Sequence, residues 1–228
     1  MKKILSRHGK YRIFSQGGKQ GIGKRKFLSP LEVVMPAKVD KVEKDYSFED
    51  KVFKIITSDR CGLYDVETKR TFIPVVYKNI VRGWEDRVIV SDNFKKYYVV
   101  NYKNEEIIKA SDYIFPTSYN NKRCFAVCRN EKWGILDYNG KELLPFIYDT
   151  ISEYLEKYLV YGFEGEYVLY NIAAGAELCR EDKEIRFNEY YFYTSDRWVY
   201  VDADAKWHHD YEEDVKHGRK NGDFVYPL

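Results

Sequence analysis

Residues 18 to 24, GKQGIGK, carry the chemistry most readily proposed for this chain. The spacing G-x-x-x-x-G-K is that of a phosphate-binding loop, whose backbone N–H groups and lysine cradle phosphates and whose final Ser/Thr hydroxyl holds Mg²⁺. Here Arg25 stands where that hydroxyl is required. The next residues, RKFLSPLEVVMP, include two prolines and a β-branched run and cannot open the helix that a phosphate loop needs. A hairpin turn explains the same glycines, which reach positive φ without steric cost. The lysines and arginine, Lys19, Lys24, Arg25 and Lys26, remain a candidate site for a polyanion.

A second cluster lies near the C-terminus. His209, Glu213 and His217 would share one face of a helix, and they are the only candidate metal ligands, at no recognised metal spacing. A solvated polar helix or loop is the expected reading, and no metal is expected. No serine sits in a G-x-S-x-G elbow, and the four histidines, His8, His208, His209 and His217, all lie near the termini. No catalytic residue, cofactor or enzymatic activity is expected. Aromatic residues in polar connections are better candidates for recognition: Trp84 with Arg82 in RGWEDR, Tyr119 in TSYNNKR, and Trp207 after the last strand-like run. Trp, Tyr and Arg are the residues that anchor protein interfaces, so these four form the candidate protein-binding set. Each would otherwise cover a neighbouring repeat.

Charge is unevenly placed. The net charge is +2, yet residues 1 to 31 hold nine Lys/Arg and no acid. Residues 202 to 214 hold six acids and one lysine. These are either two solvated faces or a basic patch for an acidic or phosphate-bearing partner. The aromatic share of 17%, with 22 tyrosines, favours strands. The lysines at the N-terminus are not followed by the apolar core of a signal peptide, and no stretch has the length of a membrane span. With four cysteines lacking metal spacing and read as reduced packing residues, the cytoplasm is the expected location.

The elements behind these residues repeat. RCGLYDVETKRTFIPVVYKNI (60 to 80) and KWGILDYNGKELLPFIYDTI (132 to 151) share Gly-aliphatic-x-Asp, a polar turn with lysine, and apolar-Pro-x-x-Tyr with Ile three residues on. Weaker copies begin at Tyr97, Tyr167 and Trp198. The Asx position is filled by Asp65, Asn101, Asp137, Asn171 and Asp202, spaced 36, 36, 34 and 31 residues apart. A second apolar run precedes each copy across a turn-rich segment, so each unit reads as a β-hairpin, an Asx-led turn and a further strand. The opening glycines fit this frame, with Gln20-Gly21-Ile22 aligned on Trp133-Gly134-Ile135.

On these residues the chain resembles the bacterial WG (KWG) repeat, closely at 131–151, with Cys61 in the Trp place at 60–80, and in degenerate form elsewhere. The resemblance implies a repetitive all-β bacterial protein and no catalytic residues. The expected architecture is one domain over 1–228 with repeats at about 10–42, 51–86, 87–122, 123–156, 157–189 and 190–213, closed by 214–228. A propeller-like ring is favoured over an open β-solenoid or sandwich, with short helical turns at 152–159 and 210–218. The expected function is a non-catalytic protein-binding module, neutralising (immunity-like) or adaptor in kind. The alternative is polyanion or nucleic-acid binding through the basic N-terminal 31 residues.

Overall fold

The computed structural model describes residues 2–25, 29–154 and 157–187, with short strands at 192–193, 198–201 and 207–208. Every described element is a strand, and every sheet is a four-stranded antiparallel meander in chain order. That is the topology of a propeller blade, and the chain is all-β as its periodicity predicts. Two compact units divide it, Met1–Ser111 and Asp112–Leu228.

The first unit holds three sheets. The first is β1 (Lys3–His8), β2 (Tyr11–Gln16), β3 (Lys19–Lys24) and β4 (Glu32–Val39). The second is β5 (Lys41–Glu43), β6 (Val52–Thr57), β7 (Arg60–Asp65) and β8 (Arg70–Tyr77). The third is β9 (Asn79–Arg82), β10 (Arg87–Ser91), β11 (Tyr97–Asn101) and β12 (Glu106–Ser111). One apolar cluster, including Ile13, Ile22, Met35, Val42, Phe53 and Ile55, lies between the first and second sheets. Another, including Leu63, Ile73, Ile80, Val88 and Val100, lies between the second and third.

The second unit continues with β13 (Tyr113–Tyr119), β14 (Lys122–Arg129), β15 (Lys132–Asp137) and β16 (Glu142–Tyr148). Next come β17 (Thr150–Tyr154), β18 (Tyr158–Phe163), β19 (Glu166–Asn171) and β20 (Ala176–Glu181). The shorter β21 (Arg186–Phe187), β22 (Phe192–Tyr193), β23 (Trp198–Val201) and β24 (Trp207–His208) pair in the same order. Cys124, Ala126, Ile135, Leu159 and Tyr170 join the first two of these sheets.

The GKQGIGK stretch is the β2–β3 hairpin. Gly17 and Gly18 take φ of 61° and 76°, and Gln16 pairs with Lys19 across a two-residue turn. The Asx positions behave as their chemistry predicts. Asp65 Oδ1 accepts from the N–H groups of Glu67 and Thr68, Asn101 Oδ1 from Lys103 and Glu105, and Asp137 Oδ1 from Asn139 and Lys141. Asn171 Oδ1 accepts from Ala174. Asp202 lies outside the described residues.

Two expectations shift. Val42, Ile80 and Ile151, expected within the repeats 10–42, 51–86 and 123–156, lie in β5, β9 and β17 and open the next sheet. Sheets therefore begin at residues 3, 41, 79, 113, 150 and 186. At four of the five boundaries a single hinge residue joins the sheets, and its N–H already pairs with the sheet ahead. Asp40 donates to Ile56, Lys78 to Ser91, Asp112 to Cys128 and Asp149 to Gly162. A one-residue bend leaves no run of turn residues to read. Of the helical turn expected at 152–159, residues 152–154 and 158–159 belong instead to the paired strands β17 and β18, with Ser152 opposite Val160 and Glu153 opposite Leu159. Burial of Ile151 and Leu159 on the sheet face overrides the helical propensity of SEYLEKYL. The turn expected at 210–218 and the closing segment 214–228 lie outside the described residues.

Candidate binding cleft between the first two sheets

The β1–β2 turn of the first sheet faces the 44–51 loop of the second, and between them opens a cleft of about 440 Å³. Arg7, His8 and Lys10 line one wall; Lys44, Tyr46, Asp50 and Lys51 line the other. The loop is wound on Lys44, whose ammonium donates to the carbonyls of Glu49 (2.7 Å), Val52 (3.1 Å) and Phe48 (3.3 Å). Burial lowers the Lys44 pKa, against the opposing pull of Asp50, Asp45 and Glu49. Asp45 caps the loop by accepting from the Ser47 N–H and hydroxyl. With its backbone so fixed, the loop presents Tyr46 at 76% exposure.

His8 links the walls. Its Nδ1 lies 3.0 Å from the Tyr46 hydroxyl and its Nε2 lies 3.0 Å from Ser6 Oγ. The ring stands edge-on to Phe53. Burial, then the charges of Lys44 and Arg12, push the His8 pKa below its ordinary value, so the ring is neutral at pH 7. Arg12 lies directly opposite Arg7 across the β1–β2 pair, and its guanidinium turns onto the carbonyls of Gly9 and Tyr11. Two acids reach the cleft, Asp50 and Glu67, and Glu67 sits 3.7 Å from the Lys10 ammonium with both side chains about half exposed.

The residues singled out in the sequence occupy other places. Arg82, at the end of β9, donates to the Tyr102 hydroxyl (3.1 Å) and lies over the Phe48 ring. Trp84 follows it in the β9–β10 connection and is half-buried, with its carbonyl accepting from the Arg87 N–H. Tyr119 belongs to the second unit and stacks on Tyr170 at 5.0 Å; burial raises its hydroxyl pKa. Trp207 is paired by its backbone with Val201. Lys19 is held by Asp40 at the turn end of β3, whereas Lys24 and Arg25 lie at its far end, where the Arg25 N–H donates to Lys10. That separation is about 17 Å. Lys24 and Arg25 are thus neighbours of the cleft, and Lys19 is not. Lys26, His209, Glu213 and His217 lie outside the described residues.

Sequence reading missed His8, Lys44 and Tyr46. The one signal was the basic run of residues 1 to 31, and nothing local ties that run to a loop some 40 residues further on. Among the described residues no cluster of His, Cys, Asp and Glu is gathered as for a metal ion. Among them, too, no helix is long and apolar enough to cross a membrane.

No family model and no curated protein matches the chain. Solved structures with general likeness include Hsv2 of Kluyveromyces lactis, at 7% identity and TM-score 0.39, covering 78% of this chain and 64% of that one. A eukaryotic initiation factor matches at 12% identity and TM-score 0.43, over 79% of this chain and 54% of that one. Hsv2 of Kluyveromyces marxianus matches at 10% and 0.32, over 75% and 61%. The chain spans less than two thirds of the length of these structures, and at such identities and scores no property passes from them to this protein.

Proposed function

We propose that this protein is a non-catalytic module that binds another protein, as an adaptor or as the neutralising (immunity-like) partner of a bacterial protein. The observation that carries the reading is the cleft. A loop with its backbone pinned by Lys44 holds an exposed tyrosine beside Arg7 and Lys10, and interfaces favour rigid aromatic and arginine anchors in such a place. The Gly-x-x-Asp and Pro-x-x-Tyr pattern supports a relationship to bacterial WG repeats. Four free cysteines, three of them buried, suit a reducing cytoplasm.

Affinity capture from the source cell at physiological salt, followed by lysine cross-linking, tests this. One protein should be retained, with cross-links to Lys10 or Lys51. Capture of no protein at that salt overturns the reading. The second reading, polyanion binding, draws on the nine basic residues before Glu32. It requires nucleic-acid affinity that falls steeply between low and moderate salt.

A further inference from the structure

The cleft has a charge pattern that selects among partners. Arg7 faces Arg12 in direct cross-strand register, an arrangement that repels. Arg12 relieves its own charge on backbone carbonyls, while Arg7 has neither hydrogen bond nor ion pair among the described residues. Lys44 is taken up by the loop carbonyls, and Lys51 is paired with Glu49 at 3.1 Å. Lys10 lies over the Tyr11 ring, and its one anionic contact among the described residues is the long, exposed one with Glu67. Arg7 and Lys10 are therefore the cations open to a new anion, at the mouth of a cavity sized for one or two side chains.

Resting on the protein-binding reading, we propose that this cleft docks an acidic segment of the partner protein, one carboxylate set against Arg7 and Lys10 and the neighbouring peptide laid on the face of Tyr46. Charge complementarity argues for an acid. The two acids of the cleft argue for a peptide rather than a nucleic acid. A nucleic acid carries a charge at every step of its strand and would bring phosphates against Asp50 and Glu67, whereas a peptide can set neutral residues there. The basicity of His8, whose ring faces Ser6, Tyr46, Phe53, Lys44 and Arg12, is depressed first by burial and then by the charges of Lys44 and Arg12, and an acid bound in the cleft would oppose the second cause.

The test uses the full chain and a fluorescent peptide of glutamates spaced by glycine and serine, read by anisotropy, with single-stranded oligothymidylate of equal charge beside it. The glutamate peptide should bind, weaken with salt, and raise the titration midpoint of the His8 imidazole as followed by NMR. The double substitution Arg7→Glu and Lys10→Glu, both at exposed positions, should weaken it by about tenfold or more. Lys103→Glu, on an exposed turn of the third sheet, should leave it unchanged. Equal affinity in the double variant, an unmoved His8, or tighter binding of oligothymidylate would each overturn the proposal. A double variant that captures the cellular partner as well as the native chain does so too, while leaving the protein-binding function standing.

Discussion

A methyl group added at Gly62 has no room: an ideal Cβ there would lie 2.5 Å from the carbonyl oxygen of Ile73 and 2.8 Å from the carbonyl carbon of Pro74. Gly21 meets Met35 O at 2.6 Å and Gly134 meets Leu144 O at 2.9 Å. The cause is a bulge. Cys61 pairs with Tyr77 but Leu63 pairs with Ile73, so two steps on β7 face four on β8. The same count holds for Gln20–Ile22 against Val39–Met35 and for Trp133–Ile135 against Tyr148–Leu144. Pro36, Pro74 and Pro145 sit inside these bulges, where no ladder donor is required. Glycine and proline thus recur together because one lets the bulged carbonyl in and the other tolerates the break in pairing. Where Tyr98 takes the glycine place the bulge shrinks by one residue, and where Val168 takes it the pairing is regular from Tyr167 to Leu169 and shifts only between Leu169 and Tyr170. Alanine normally stabilises a strand interior over glycine by about 0.5–1 kcal/mol. At residue 62 the sign should reverse. Gly62→Ala is expected to cost about 1–3 kcal/mol through overpacking of backbone, read as a lower urea midpoint. A gain in stability would show that the carbonyl of Ile73 is free to move.

At the scale of elements, the hinges are the joints of the fold. Asp40 accepts from Lys19 in the sheet it leaves and, through Oδ2, from the Ser58 N–H in the sheet it enters. Asp149 is likewise held by Lys132, and Asp112 accepts from the Asn130 N–H. The second hinge reverses the charges, with Lys78 on Asp59, and there the Arg60 guanidinium turns instead to the carbonyls of Val76 and Asp92. Hydrogen bonding, from Lys19 and Ser58 to Asp40 and from Lys132 to Asp149, depresses both carboxyl pKa values below 3.8. Their contribution is therefore present above about pH 4 and is lost as pH falls through the depressed values. His8, depressed from 6.5, adds a loss that sets in as pH falls below that value, since the unfolded chain takes up the proton first. Melting temperatures measured from pH 7 down to 3 should decline in two stages. His8→Gln should remove the upper stage, and Asp40→Asn with Asp149→Asn should flatten the lower. An unchanged profile in both variants would show that the hinges and His8 do not govern acid sensitivity. The hairpins, the Asx turns and the Gly/Pro frame were legible in the sequence because each rests on a residue with one evident backbone use. The hinges were not, because Asp40 and Lys78 do the same task with opposite charge. Nor was the cleft, because KILSRH of β1 carries no repeat signature and meets Tyr46 only through sheet packing.

For the whole molecule, the question is how far each unit stands on its own contacts. Repeat proteins draw their stability from each repeat and its immediate neighbours. The two clusters of the first unit run from Tyr11 to Tyr102, so the second sheet has both faces covered within Met1–Ser111. The cleft residues, from Arg7 to Glu67, lie inside the same span. A fragment of 111 residues can bury a sufficient core. The expected outcome for residues 1–111 is a folded β protein with a cooperative thermal transition by circular dichroism. Its affinity for the spaced glutamate peptide should stay within about threefold of the full chain, because no cleft residue is lost. If the fragment folds but loses the peptide by tenfold or more, residues beyond Ser111 take part in recognition, and the acidic segment would then touch more than the cleft. If it does not fold, three successive sheets are too few to hold the first unit, and stability is a property of more repeats than the nearest-neighbour rule requires.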